Sequence, residues 1–459
     1  MKVIICGAGQ VGTSIAKQLI IEDNDVTVID QSPKLIDRIS DSLDVTAHVG
    51  FASHPYVLEK AGANQADMFI AVTQSDEINM VACQVAHSIF GVSKKIARIR
   101  SQNYFTSGME RLFSPDDMPI DVIISPELEV ANAIFDKLHV PGAIETINFA
   151  ENLVKVVSVK ATDDSLVMGK NVTEVNERLE AFNAQMICFV REQELHGLDQ
   201  TDIKLDSQDE IYFVSPNNKV KEVMSVFGHE EREASKIRIV GGGSIGLYLS
   251  QKLEEEEQNH NIKIIERNAE RAKIIVNRLD RTTVINGDAL EQEILKEVNI
   301  ANSDTIIAVS NDDEVNILSA LLAKKFGCKK AVSLINSTSF APLFSSLGID
   351  AIVNPREITV SSILQHIRNF KVRNAHAIAD SQAEIIETDA FESSYSVGKT
   401  IADLDLPKGT NLNMIIREGK YIIPNAETEI IAKDRLIIFS RVEKLKKIEK
   451  IFSDRYKYF

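Results

Sequence analysis

The sequence predicts a duplicated α/β architecture: two doubly wound parallel-sheet domains, each followed by a small α+β module. Three observations predict it. Most of the chain repeats itself in type and order, short apolar runs alternate with amphipathic helical stretches, and a glycine-rich turn follows the first strand of each repeat. With 459 residues the chain is also too long for one hydrophobic core.

Taken in order, Lys2-Val3-Ile4-Ile5-Cys6 reads as a buried strand and runs into Gly7-Ala8-Gly9-Gln10-Val11-Gly12. Its counterpart is Arg238-Ile239-Val240 running into Gly241-Gly242-Gly243-Ser244-Ile245-Gly246. Val26–Ile29 closes on Asp30 as Ile262–Ile265 closes on Glu266. Phe69–Asn79 (FIAVTQSDEIN) matches Ile306–Asn316 (IIAVSNDDEVN) at nearly the same offset. From Asp76 to Phe90 the residues Ile78, Val81, Ala82, Val85, Ala86 and Ile89 fall on one face at helical spacing. Pro126 and Pro355 each open an amphipathic helix, at a position where a missing N–H does no harm. Next come two shorter β-rich segments, in which Ser165–Lys170 parallels Tyr395–Lys399 and Asp209–Phe213 parallels Asp434–Phe439. Apolar runs there, such as Leu153–Val159, are candidates for an interface. The expected division is 1–138, 139–227, a polar linker 228–235, 236–370 and 371–459.

Composition narrows the function. A net charge of -16 argues against a partner bound through its phosphate backbone, so no nucleic acid is expected. No run of about 18 apolar residues and no export signal is evident, which points to a cytoplasmic protein. The four cysteines lie far apart without a C-x-x-C pair, and the nine histidines form no ligand pattern, so no metal site is expected.

Gly7-x-Gly9-x-x-Gly12 sits between a strand and a helix, as a Rossmann-type dinucleotide fingerprint requires. Its glycines allow the tight turn, the close approach of a pyrophosphate and the packing of helix on strand. The helix N-terminus adds free N–H groups and a positive dipole end. Asp30 stands where a carboxylate accepts hydrogen bonds from both ribose hydroxyls, and Glu266 stands there for the second loop. Acids at those positions favour NAD-like or adenosine nucleotides over NADP. A turn without a ligand remains the alternative for each loop. Past the fifth strand the halves differ: Ile96-Ala97-Arg98-Ile99-Arg100 faces Ala331–Ile335. Arg98 and Arg100 fall on one side by strand alternation, either as a clamp on terminal phosphates or as surface ion pairs. Thr73, Ser75 and Asp76, like Ser310, Asp312 and Asp313, lie where the fourth strand gives way to a helix, and helix capping explains most of them. Asp288 follows Gly287 near an adenine or ribose position, where the first copy has Phe51.

Together these motifs resemble the KTN/RCK family of potassium-transport regulators in its tandem form, over essentially the whole chain. The resemblance implies nucleotide-binding RCK-N units accompanied by RCK-C units, with NAD(H), ATP or ADP as ligands. It implies a first site of Gly7, Ala8, Gly9, Gln10, Val11, Gly12, Asp30, Thr73, Arg98 and Arg100. The second would comprise Gly241, Gly243, Ser244, Ile245, Gly246, Glu266, Asp288 and Ser310. It further implies a regulatory subunit rather than an enzyme, a homo-oligomer (dimer or tetramer), and a place at the inner face of the cell membrane beside a Trk-type potassium-transport subunit. An NAD-dependent dehydrogenase is an alternative. Against it, about 85 to 90 residues follow each Rossmann unit, too few for most substrate domains, and no acid–base constellation emerges. A regulator of another cation transporter or antiporter, and a scaffold with empty sites, are the others.

Overall fold

The computed structural model describes residues 1–459 except 22, 106–109, 115, 164, 199, 201, 232, 257–259, 338–347, 368–371, 380–381 and 453–459. Position 232 of the expected linker, the expected boundary at 370/371 and the last seven residues of the final module lie outside the described residues.

The first repeat comprises β1 (Lys2–Cys6), α1 (Gln10–Ile21), β2 (Asp25–Asp30), α2 (Pro33–Ser42), β3 (Thr46–Val49), α3 (Pro55–Lys60), β4 (Met68–Ala71), α4 (Asp76–Ser88), β5 (Lys94–Arg98), β6 (Val122–Ile124) and α5 (Pro126–His139). A small module follows: β7 (Ala143–Phe149), β8 (Val154–Lys160), α6 (Val172–Leu179), β9 (Gln185–Arg191), β10 (Glu194–Gly197), β11 (Glu210–Pro216) and α7 (Val220–Val226). The second repeat has β12 (Lys236–Val240), α8 (Ser244–Glu255), β13 (Asn261–Glu266), α9 (Ala269–Val276), β14 (Thr283–Asn286), α10 (Gln292–Glu297), β15 (Thr305–Ala308), α11 (Asp313–Lys325), β16 (Lys330–Leu334), β17 (Ala351–Val353) and α12 (Pro355–Ile367). The last module has β18 (Val372–Ile378), β19 (Ala383–Asp389), β20 (Thr410–Arg417), β21 (Lys420–Ile422), β22 (Arg435–Arg441) and α13 (Leu445–Phe452).

Both large sheets are parallel and six-stranded, in the orders β3-β2-β1-β4-β5-β6 and β14-β13-β12-β15-β16-β17. This is the Rossmann order, in which the chain reverses direction of travel between the first and fourth strands and leaves a crevice at their carboxyl ends. Period-two alternation divides the first sheet's core. Val3, Ile5, Val28 and Ile70 pack with Ile15 and Leu19 of α1, while Ile4, Cys6, Phe69 and Ala97 pack with Leu58 of α3 and Ala82, Cys83 and Ala86 of α4. Cys6, Cys83, Cys188 and Cys328 are all buried, and burial pushes their thiols up, that of Cys83 to about 12, so they remain protonated at neutral pH.

The α4 pattern departs from the expectation. The buried residues are Asp76, Asn79, Met80, Ala82, Cys83 and Ala86, whereas Val81 and Ile89 are 45% and 58% exposed. Small residues and an amide face the sheet because the helix lies close on it, so the expected face holds at Ala82 and Ala86, is half-buried at Ile78 and Val85, and turns outward only at Val81 and Ile89. The helix stops at Ser88, short of Phe90, and Gly91 takes φ +66° just beyond.

The described residues fall into two compact units, one holding 1–135 with 234–367 and the other 136–233 with 368–459. Within the first unit, α12 of the second repeat lies on the first repeat's sheet. Its Ile363 is fully buried against Val3, Ile5, Ile15 and Leu19, with Val360 and Leu364 beside it. In the other direction, Lys252 of α8 donates to Asn132 of α5 at 2.5 Å and sits 4.2 Å over the Phe135 ring.

Within the second unit the two five-stranded sheets have matching orders, β7-β8-β11-β9-β10 and β18-β19-β22-β20-β21. They share a core of Phe149, Val154, Val156 and Tyr212 with Ile385, Met414, Ile437 and Phe439. Leu153–Val159 therefore has two roles. Val154 and Val156 enter that shared core, while Val157 and Val159 belong to the first module's own core. Each module also holds a bidentate pair on a buried carboxylate, Arg191 with Asp209 and Arg417 with Asp434, all four bonds at 2.7 Å and the arginines half-buried.

Truncation of Ile363 to Ala should cost about 2–5 kcal/mol, the range for a fully buried aliphatic side chain. Because that side chain fills the other repeat's core, amide hydrogen exchange should rise in α1, which a local defect in α12 would not produce.

Candidate functional site

The carboxyl end of each large sheet gathers the glycine loop after its first strand, the acid closing its second and the turn after its fourth. Gly7 and Gly241 hold φ of +113° and +103°, a conformation that side chains disfavour, and each packs against the backbone after the fourth strand at Val72-Thr73 or Val309-Ser310. A Cβ on Gly12 would lie 1.8 Å from the Gly7 carbonyl oxygen, and one on Gly246 would lie 2.1 Å from that of Gly241, so only glycine lets the helix approach. Gly9 and Gly243, by contrast, face open space. Gln10 and Val11 open α1, while Ser244 and Ile245 open α8, so their N–H groups belong to the first helical turn.

Asp30 closes β2 and is held by the loop itself: its carboxylate accepts the Ala8 N–H at 2.7 Å and the Ser32 N–H at 2.8 Å. Glu266 repeats this with Gly242 and Asn268, both at 2.7 Å. The second loop has a further tie, Arg271 Nε donating to the Gly242 carbonyl at 2.7 Å. Sequence reading passed over Arg271, and a basic residue one turn into the helix after Glu266 is its only signal. Asp288 turns its carboxylate to the Leu290 N–H at 2.9 Å, whereas Phe51 is 48% exposed beside His54.

Two asparagines missed as site residues tie the fourth strand to the fifth. Asn79 accepts the Thr73 N–H and hydroxyl at 2.9 and 2.7 Å and donates to the Arg98 carbonyl at 2.8 Å. Asn316 accepts the Ser310 N–H at 2.8 Å and donates to the Ser310 and Leu334 carbonyls at 2.9 Å. Both are fully buried. Capping accounts for Ser75, which accepts the Ile78 N–H, and for Asp312, which accepts those of Glu314 and Val315. It does not account for Asp76 and Asp313. Those carboxylates reach across to the N–H groups of Arg100 and Ser101, and of Asn336 and Ser337. The identity of the two segments was the available signal.

These ties also correct the alignment past the fifth strand. Leu334 occupies the place of Arg98 and Asn336 that of Arg100, one position on from the pairing drawn from sequence. Arg98 ends β5, partly buried, and Arg100 lies just beyond it. Burial and the neighbouring Arg100 lower Arg98 below the ordinary guanidinium range, with Glu127 and Asp76 opposing. Arg100 Nε meets Glu127 Oε1 at 2.9 Å, while Arg98 Nε is buried without a hydrogen-bond partner among the described residues.

The model of the TrkA-N domain matches residues 3–126 and 237–355, and that of the TrkA-C domain matches 391–453. The Trk system potassium uptake protein TrkA of Azorhizobium caulinodans is 43% identical over 459 residues, covering 100% of both chains. The chain belongs to the TrkA family. Proteins of the same name from Halomonas elongata and Vibrio alginolyticus are 37% and 38% identical, covering 98% and 96% of this chain and 98% and 95% of their own. Among solved structures, the GsuK RCK domain superposes with a TM-score of 0.62 at 17% identity, covering 98% of this chain and 94% of that one. A GsuK channel bound to NAD gives 0.61 at 17%, covering 98% and 78%. Those two likenesses bear on the fold. Membership of the TrkA family places the chain with potassium transport and not with hydride-transferring dehydrogenases.

Replacing Asn79 or Asn316 by Ala would strip partners from several backbone groups at once. Each change should lower stability by about 2–4 kcal/mol in urea denaturation. An effect within about 0.5 kcal/mol would show that the ties are incidental.

Proposed function

We propose that the chain is a nucleotide-binding regulatory subunit of a Trk-type potassium-uptake system. The observation that carries this reading is the carboxylate fastened to the rim of each glycine loop at the strand-order reversal. Gly9 and Gly243 leave open space where a pyrophosphate would approach, and the first turns of α1 and α8 supply N–H donors. Asp30 and Glu266 would take the ribose hydroxyls with the lone pairs that their backbone partners leave open, since each carboxylate oxygen accepts one N–H. Full-length similarity to potassium uptake proteins supports the transport role, and the NAD-bound GsuK channel shares the fold.

In this proposal the first site comprises Gly7, Ala8, Gly9, Gln10, Val11, Gly12, Asp30 and Thr73, with Arg98 and Arg100 for terminal phosphates. The second comprises Gly241, Gly243, Ser244, Ile245, Gly246, Glu266, Asp288 and Ser310. NAD(H), ATP and ADP are the ligands. A copy of this chain (as a dimer or tetramer) and the membrane subunit are the partners, and the place of action is the inner face of the membrane. No described helix is long and apolar enough to cross a membrane, so gating would act through an assembly around the membrane subunit. ATP and ADP differ by one charged phosphoryl group, and a nucleotide shifts the assembly only through its differential affinity for two states. Arg98 and Arg100 supply that difference. The division into modules 1–138, 139–227, 236–370 and 371–459, with 228–235 as linker, is part of the same proposal.

Calorimetric titration with NADH, ATP, ADP and NADPH tests it. NADH and ATP should bind, NADPH should bind at least about tenfold more weakly because a carboxylate stands where its 2′-phosphate would lie, and Asp30→Ala should lose at least about tenfold for NADH. Equal binding of NADPH and NADH would overturn the assignment of Asp30 and Glu266.

A further inference from the structure

The two repeats carry different charges around the same geometry. In the first, Arg98 ends the fifth strand, Arg100 lies just beyond it and Glu127 sits in the first turn of the helix after the sixth. In the second, Leu334 and Asn336 replace the arginines and Arg356 replaces the glutamate. Each helix opens after the same turn, at Ser125-Pro126 and Asn354-Pro355. A cation and an anion are thus paired in the first repeat where the second presents Arg356, whose Nη2 lies 3.5 Å from the Asn336 carbonyl oxygen.

The pairing is unequal. Glu127 Oε1 takes Arg100 Nε at 2.9 Å, and the Glu127 side chain is 12% exposed against 50% for Arg100. Glu127 Oε2 is buried without a hydrogen-bond partner among the described residues, as is Arg98 Nε. Asp76 is committed to the backbone N–H groups of Arg100 and Ser101. Arg100 is therefore anchored through its backbone and neutralised at its head, while its exposed half remains open to an anion.

We propose that Glu127 is a built-in competitor for the anion-binding arginine of the first site. This rests on the reading of that site as a nucleotide site. An incoming phosphate must displace Glu127 from Arg100 before it gains the full charge-assisted bond. A terminal phosphate that reaches Arg100 meets that cost, and a nucleoside without phosphate never encounters it. Glu127 thereby sets a cost on terminal phosphate charge at the first site that phosphate-free nucleosides escape, and the second site, with no such pair, lacks the device.

The test is two-site calorimetry of the full-length protein with ATP, ADP and adenosine, the first site being the one weakened by Arg100→Gln. Glu127→Gln should tighten ATP at the first site by roughly five- to tenfold, leave adenosine unchanged and leave the second site unchanged. In the Arg100→Gln background the gain should vanish. Unchanged or weaker ATP binding in Glu127→Gln would overturn the proposal and make Glu127 a positioning residue that orients Arg100. A gain of equal size without Arg100 would also overturn it, because the effect would then come from the general field. If the wild type binds neither ATP nor ADP, the nucleotide reading fails and this inference fails with it. ATP binding that ignores Glu127→Gln defeats this inference alone. Glu127→Ala, with melting temperature as a control, repeats the test should the Gln variant fail to fold.

Discussion

Apolar surface on a doubly wound sheet has to be covered on both faces, and in the first repeat the local helices do not complete that cover. Ile363 supplies part of it from the far half of the chain, fully buried among Val3, Ile5, Ile15 and Leu19. With Val360 and Leu364 beside it, that insertion ties the second Rossmann repeat to the first within one compact unit. A defect in α12 is a defect in the α1 layer, and α1 begins at the first glycine loop. The same helix thus borders both the shared core and the candidate site.

The site itself is built mainly from backbone held by carboxylates and amides. Asp30 and Glu266 fasten the loops, Asn79 and Asn316 join the fourth and fifth strands, and Asp76 and Asp313 hold the turn beyond the fifth. Such groups bond when buried, because an unpaired polar group in the interior costs about 1–3 kcal/mol. Around this shared frame the side chains that differ between the repeats change the local charge without altering the fold. Arg98, Arg100 and Glu127 against Leu334, Asn336 and Arg356 are that difference.

Much of this was legible from residues alone. The glycine spacing, the acids at the ends of the second strands and the prolines opening α5 and α12 each encode a local constraint that sequence order displays directly. Other features were hidden because the partner lies far along the chain. Asn79 is one polar residue in an amphipathic pattern until the Arg98 carbonyl is placed beside it. The one-position slip between Arg98 and Leu334 arose because neither gap nor strand end is marked by residue type. On α4 the expected apolar face was right at Ala82 and Ala86 and wrong at its edges, Val81 and Ile89, since close packing on the sheet favours small residues over large ones.

The repeat, the parallel-sheet class and the two glycine-rich loops were determined by the sequence itself, because each depends on short-range spacing and on what glycine, proline and carboxylate can do locally. Which module joins which was decided only by tertiary structure. The linear order alternates large and small modules, yet large packs with large through Ile363 and small with small through Phe149, Val154, Ile385 and Phe439. Burial of complementary apolar faces is a property of surfaces, and residue spacing along one chain does not say which two surfaces will meet.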